Sequence, residues 1–107
     1  MKPESPTHLY NRGTLLLQLK RYEAAINDFT EAIKYDPDDA SIWNNRGIAW
    51  QDLGRHDLAI ADFSAAIEHD PRLAVAYRSR AISLHATGQI GQAEADIARY
   101  LSLGGKE

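Results

Sequence analysis

The chain has 107 residues, 44% apolar and 25% charged, with a formal net charge of −3 at pH 7. That is enough for one small domain with a core. The charge offers no basic field to nucleic acid, and no apolar run is long enough to span a membrane. Cysteine is absent, which excludes disulfides and thiolate metal sites and fits a reducing compartment.

In chain order, the opening MKPESPTHLY lacks the apolar core of a signal peptide, so a cytoplasmic location is expected. Ser5-Pro6 reads as a helix start, a capping hydroxyl followed by proline in the first turn. A first helix near 6–20 carries Asn11-Arg12-Gly13 and reaches Lys20, where the chain must turn back. This predicts a non-glycine residue at positive φ. A second helix near 23–35 holds Ala25, Ile26, Phe29, Ala32 and Ile33 at helical spacing. Asp36-Pro37-Asp38-Asp39 ends it and caps a third helix near 39–53, with Trp43, Asn45-Arg46-Gly47 and Trp50. Gly54 suits a left-handed C-cap before a fourth helix near 57–69, with Ala59, Ile60, Phe63, Ala66 and Ile67. After Asp70-Pro71 comes a fifth helix near 73–87 with Tyr77 and Ser79-Arg80-Ala81. Gly88 then precedes a sixth near 90–103. The expected fold class is all-α, with six helices and no strand.

A period of 34 residues runs through this order. Residues 6–39 and 40–73 align closely: Ala25 with Ala59, Ile26 with Ile60, Asp28 with Asp62, Phe29 with Phe63, and Asp36-Pro37 with Asp70-Pro71. Pro3 shares the register. The block 74–107 keeps Tyr77, Arg80, Gly88, Ala93 and Asp96 and then departs. Two close copies and one atypical terminal copy make a repeat array within one domain.

The repeated arginine needs a partner. Arg12, Arg46 and Arg80 each stand sixteen residues before an aspartate, Asp28, Asp62 and Asp96. In an antiparallel helix pair those places lie at similar height, which predicts three ion pairs inside the repeats. A rival reading makes the arginines a ladder for an acidic ligand. Gly13 and Gly47 are expected to let backbones approach Ala25 and Ala59, since glycine costs a helix about 1 kcal/mol relative to alanine.

These residues resemble the tetratricopeptide repeat family: an aromatic, Leu-Gly, an aromatic, Ala-x-x-x-Phe and Pro over 34 residues. Trp43, Gly47, Trp50, Ala59, Phe63 and Pro71 match best. The first block offers Leu9, Gly13, Leu16, Ala25, Phe29 and Pro37, and the third Tyr77, Ala81, Leu84, Ala93 and Ile97. Arginine stands where the family usually has leucine. The resemblance implies a right-handed superhelical α-solenoid of three helix-turn-helix repeats, whose concave face is lined by the first helix of each and binds extended peptides or protein partners. Carried onto this chain, the lining is Tyr10, Asn11 and Thr14, then Asn44, Asn45 and Ile48, then Arg78, Ser79 and Ile82. Asn11 and Asn45 resemble the asparagine ladder with which O-GlcNAc transferase holds a peptide backbone, a role an amide suits because it both donates and accepts. The carboxylate clamp of chaperone-binding relatives is not matched. Its five places hold Tyr10, Thr14, Asn45, Val75 and Ser79, and only Asn45 agrees. An EEVD-type tail is therefore not expected to bind, and Arg78 is the nearest cation.

Catalysis is not expected. His8, His56, His69 and His85 form no metal-ligand pair on one helical face, and there is no Gly-x-Ser-x-Gly elbow or phosphate loop. His56 and His69 fall in or near turns and are expected to be exposed. No cofactor, metal, nucleic acid or membrane partner is expected. The leading reading is a module that binds a peptide or protein partner. The alternative is a self-assembling scaffold that oligomerises through its terminal helices, with apolar Leu101 and Leu103 beside Tyr100 on the last one and Glu94 where Ile26 and Ile60 should pack on a following helix.

Overall fold

The computed structural model describes residues 5–106. Pro3 of the 34-residue register lies outside them. Six helices follow one another: α1 (Pro6–Gln18), α2 (Tyr22–Tyr35), α3 (Ala40–Asp52), α4 (His56–His69), α5 (Ala74–Ala86) and α6 (Ile90–Ser102). No strand occurs among the described residues. Each helix packs mainly on its sequence neighbours, so the molecule is an elongated all-α solenoid of 49 × 25 × 20 Å.

The helix ends follow the local chemistry. Ser5 caps α1 by accepting from the His8 N–H at 3.1 Å, with Pro6 in the first turn. Asp39 caps α3 through the Ser41 N–H at 3.0 Å. The three turns inside the pairs share one geometry. Lys20, Gly54 and Gly88 have φ of 62°, 80° and 82°. The next residues, Arg21, Arg55 and Gln89, donate back to Leu16, Trp50 and Leu84 carbonyls at 2.8–2.9 Å. This is the Schellman arrangement, and Lys20 bears the Cβ strain that glycine avoids at the other two. Lys20→Gly is expected to stabilise the chain by about 1 kcal/mol. An unchanged or lowered denaturation midpoint would show that the turn carries no such strain.

Small residues set the spacing of the layers. Leu9, Ala25, Phe29, Ala32 and Ile42 form one core cluster across α1, α2 and α3. Ala40, Ala66 and Ala76 form a second, flanked by Trp43, Ile67 and Leu73. Ala81, Leu84 and Ala93 form a third, onto which Ile60 packs from the preceding pair.

The glycines act differently from the sequence expectation. A Cβ on Gly13 would stand 2.8 Å from the Phe29 ring, and one on Gly47 2.7 Å from Phe63. The glycine makes room for a fully buried ring on the facing helix rather than for its backbone. In the third pair the ring position holds Ile97, and Ala81 stands where the glycines stood.

All three expected ion pairs form. Arg12 donates to Asp28 at 2.8 and 2.9 Å, Arg46 to Asp62 at 2.8 Å twice, and Arg80 to Asp96 at 2.7 Å twice. The aspartates are buried, at 7%, 4% and 6% exposure, so the arginines serve as intra-repeat partners. Two of them also tie pairs together: Arg46 reaches Thr30 Oγ1 at 3.2 Å and Arg80 reaches Ser64 Oγ at 3.1 Å. Hydrogen bonding to Asp96 raises the Arg80 pKa above its ordinary value, against the opposing effect of burial.

Candidate partner-binding groove

α1 touches α3 and α3 touches α5, whereas α2 and α4, like α4 and α6, make no such contact. The helices are therefore closer on the α1/α3/α5 side, and the solenoid curves toward it. The candidate lining falls on these three helices. Asn11, Arg78 and Ile82 are exposed, and Tyr10, Thr14, Asn45 and Ile48 are half-buried. Asn44 and Ser79 are buried, at 5% and 7% exposure, which leaves their side chains little area to offer a partner.

The half-buried residues are organised by hydrogen bonds. Asn45 Nδ2 donates to the Tyr10 hydroxyl oxygen at 3.0 Å, bridging α3 and α1. Asn44 Nδ2 lies 3.4 Å from Asn45 Oδ1, while Asn44 Oδ1 is buried without a partner. Thr14 Oγ1 donates to the Tyr10 carbonyl at 2.8 Å. Tyr10 accepts from Asn45 and its own hydroxyl proton is left to donate. The Tyr10–Asn45 link was not foreseen from sequence, where the two lie in different repeats and each is placed in the lining separately.

A second polar node was also missed. Gln51 Nε2 donates to the Ser79 carbonyl and to Ser83 Oγ, both at 2.8 Å, and Ser83 Oγ lies 2.8 Å from His56 Nδ1. His56 is thus half-buried at an inter-pair contact, not free in a turn as expected, because it opens α4 directly beside α5. Ser83 Oγ accepts from Gln51, and the direction of its bond to His56 Nδ1 follows the imidazole tautomer. Ser83 is fully buried, so the contact links helices and offers no accessible nucleophile. His69 is exposed, and its ring stacks 6.0 Å from Trp43.

At the α6 end the structure opens a groove of about 550 Å³ between α5 and α6, lined by Ile82, Ile90, Ala93, Glu94 and Ile97 among others. Ile82 therefore belongs as much to this end as to the concave face. Beyond it, Leu101 is 37% exposed and Leu103 half-buried. The Tyr100 hydroxyl donates to the Lys106 carbonyl and accepts its N–H, at 3.0 and 3.1 Å, folding the last residues onto the helix. Among the described residues, no three His, Cys, Asp or Glu gather as a metal site would require. No described helix is long and apolar enough to cross a membrane.

A family model described as tetratricopeptide repeat matches residues 10–74 and 51–106. Among solved structures, the second TPR of Spaghetti (RPAP3) bound to the HSP90 peptide SRMEEVD superposes with a TM-score of 0.91 at 25% identity, covering 94% of this chain and 93% of that one. The Arabidopsis OM64 TPR domain gives 0.92 at 26% identity, covering 94% and 83%. The TPR2B-domain:pHsp70-complex of yeast Sti1 gives 0.89 at 28%, covering 92% and 78%. No curated protein matches the sequence.

Proposed function

As the chain belongs to the tetratricopeptide repeat family, we propose that its concave face binds an extended peptide or a partner protein lying across α1, α3 and α5. The observation that carries this reading is the Tyr10–Asn45 hydrogen bond, which holds a donor and an amide at fixed places on that face. Two similar structures are described as complexes, one bound to the HSP90 peptide SRMEEVD and one a complex with pHsp70, which supports a binding use here. Asn11, Thr14 and Asn45 would meet the peptide backbone, Ile48 and Ile82 its apolar side chains, and Arg78 an acidic group. Asn44 and Ser79 would act from behind, by holding Asn45 and by fixing the α5 backbone to Gln51.

The chemistry predicts a peptide different from the one in the Spaghetti structure. The clamp places hold no lysine or arginine, and Ser79 at one of them is buried. A terminal carboxylate would lose water there without gaining a cation. SRMEEVD is expected to bind no better than a scrambled control. An array of extended peptides should yield ligands with Kd on the order of micromolar, because three repeats offer limited area and an extended chain loses entropy on binding. For the best of these, Asn45→Ala should cost about 1–3 kcal/mol of affinity by leaving a peptide group unpaired, beyond a loss of stability of about 1 kcal/mol from the missing bonds to Tyr10 and Asn44, which leaves the chain folded. Titration calorimetry decides it. Wild-type affinity in Asn45→Ala would remove Asn45 and its link to Tyr10 from the binding site.

A further inference from the structure

Among the described residues, the first and the last helices of the stack each leave one face uncovered. Eight large apolar side chains are exposed among the described residues, and six of them lie at the ends: Leu15 on α1 and Leu19 just after it, Ile82 on α5, and Ile90, Ile97 and Leu101 on α6. Several of their register equivalents inside the stack are covered. Leu15 is 54% exposed, whereas Ala49 and Ser83, one and two periods on, are fully buried, and Ser83 is bonded to Gln51 and His56 of the preceding pair. Ile97 is 39% exposed, whereas Phe29 and Phe63 are at 0%. The α5/α6 groove is thus the same cleft that receives α3 beside α1/α2 and α5 beside α3/α4, left open at about 550 Å³. The outer face of α1 is the unmated counterpart of what α3 and α5 bury.

We propose that a second copy of this chain seats its α1 in the α5/α6 groove, head to tail, continuing the helix stack across the contact. Such a contact is heterologous, so each dimer keeps one free end of either kind and the assembly grows rather than closes. Two departures from the internal pattern keep the contact weak. Glu94 stands where Ile26 and Ile60 stand; Ile60 packs on the Ala81, Leu84 and Ala93 cluster, so Glu94 would face Gly13 and Leu16 of the second copy and lose water against apolar surface. Ala98 stands where Thr30 and Ser64 accept from Arg46 and Arg80, so it offers no hydroxyl to the incoming Arg12. Terminal repeats carry such polar changes because an open apolar end invites aggregation. Ile82 is shared with the concave lining, whereas Leu15 and Ile97 lie off it, so variants at those two places separate self-association from peptide binding.

Sedimentation equilibrium of the 107-residue chain tests it. Apparent mass should rise with concentration, with Kd on the order of 1 mM. Glu94→Ile should tighten the contact roughly tenfold or more and carry the assembly past the dimer. Leu15→Glu blocks one face and Ile97→Glu the other, so each should be monomeric alone. An equal mixture should give a dimer and nothing larger, through the one intact pair of faces. Circular dichroism melts establish that each variant folds, and Ile90→Glu replaces Ile97→Glu if that one does not. The proposal is overturned if wild type and Glu94→Ile are both monomeric at millimolar concentration. It is equally overturned if association survives Leu15→Glu, or if the two blocked variants fail to pair when mixed.

Discussion

Arg46→Ala is expected to destabilise the chain by about 3–5 kcal/mol, because it strands the Asp62 carboxylate inside the protein. Asp62 keeps only 6% of its side-chain exposure and Arg46 18%, so water cannot replace the guanidinium. The same substitution removes the bond to Thr30, which ties the first pair to the second, and the guanidinium that lies 5.1 Å from the centre of the Trp43 ring. Against a total stability of about 5–15 kcal/mol for a small domain, the loss is large. It should appear as a fall in melting temperature of roughly 4–8 °C per kcal/mol. Arg12 is the internal control. Its bond to Asp28 has the same geometry, but its side chain is 46% exposed, and Arg12→Ala should cost about 1–2 kcal/mol. The double variant Arg46→Met with Asp62→Leu should recover most of the loss, since no charge then remains to be satisfied. Equal losses for Arg12→Ala and Arg46→Ala would show that burial does not govern these pairs.

The second large effect is expected at the Gly47–Phe63 contact. Gly47→Ala places a methyl 2.7 Å from a ring with no exposed surface, and overpacking of this kind costs about 1–3 kcal/mol. Phe63→Ala, which empties the same site, should cost about 3–5 kcal/mol. The third pair suggests the compensation, since it combines Ala81 with Ile97. In a double-mutant cycle, Gly47→Ala should be far less harmful in a Phe63→Ile background, with a favourable coupling of about 0.5–3 kcal/mol. Strict additivity would mean that the glycine is there for another reason, such as helix geometry. This pairing also accounts for the fading of the Asn-Arg-Gly triplet: the arginine persists because its aspartate persists, and the glycine goes where the ring goes.

Much of the fold was legible because it repeats. The period, the Asp-Pro boundaries and the capping residues are local signals, and helix ends fell within a few residues of expectation. The Arg–Asp pairs were legible because both partners recur in step. The role of the glycines was misread because spacing reveals that a side chain is missing, not which atom fills the space; the recurrence of Phe29 and Phe63 opposite them was the available clue. The concave site was less legible. Asn44 and Asn45 are adjacent and chemically identical, yet one is buried and the other half-buried, and this depends on how α1 and α5 flank α3. The Tyr10–Asn45 bond spans two repeats and breaks the register, since Tyr10 aligns with Asn44 and Arg78. No periodic argument could find it. The same holds for Gln51, Ser83 and His56, whose register equivalents are different residue types.

The most direct measurement of the proposed function is amide chemical-shift mapping of the labelled chain with the best extended peptide from the array. The largest changes should fall on α1, α3 and α5, at Asn11, Thr14, Asn45, Ile48 and Arg78, and should diminish in Asn45→Ala at equal peptide concentration. Changes confined to α2, α4 and α6, or to the α5/α6 end groove alone, would contradict binding across the concave face.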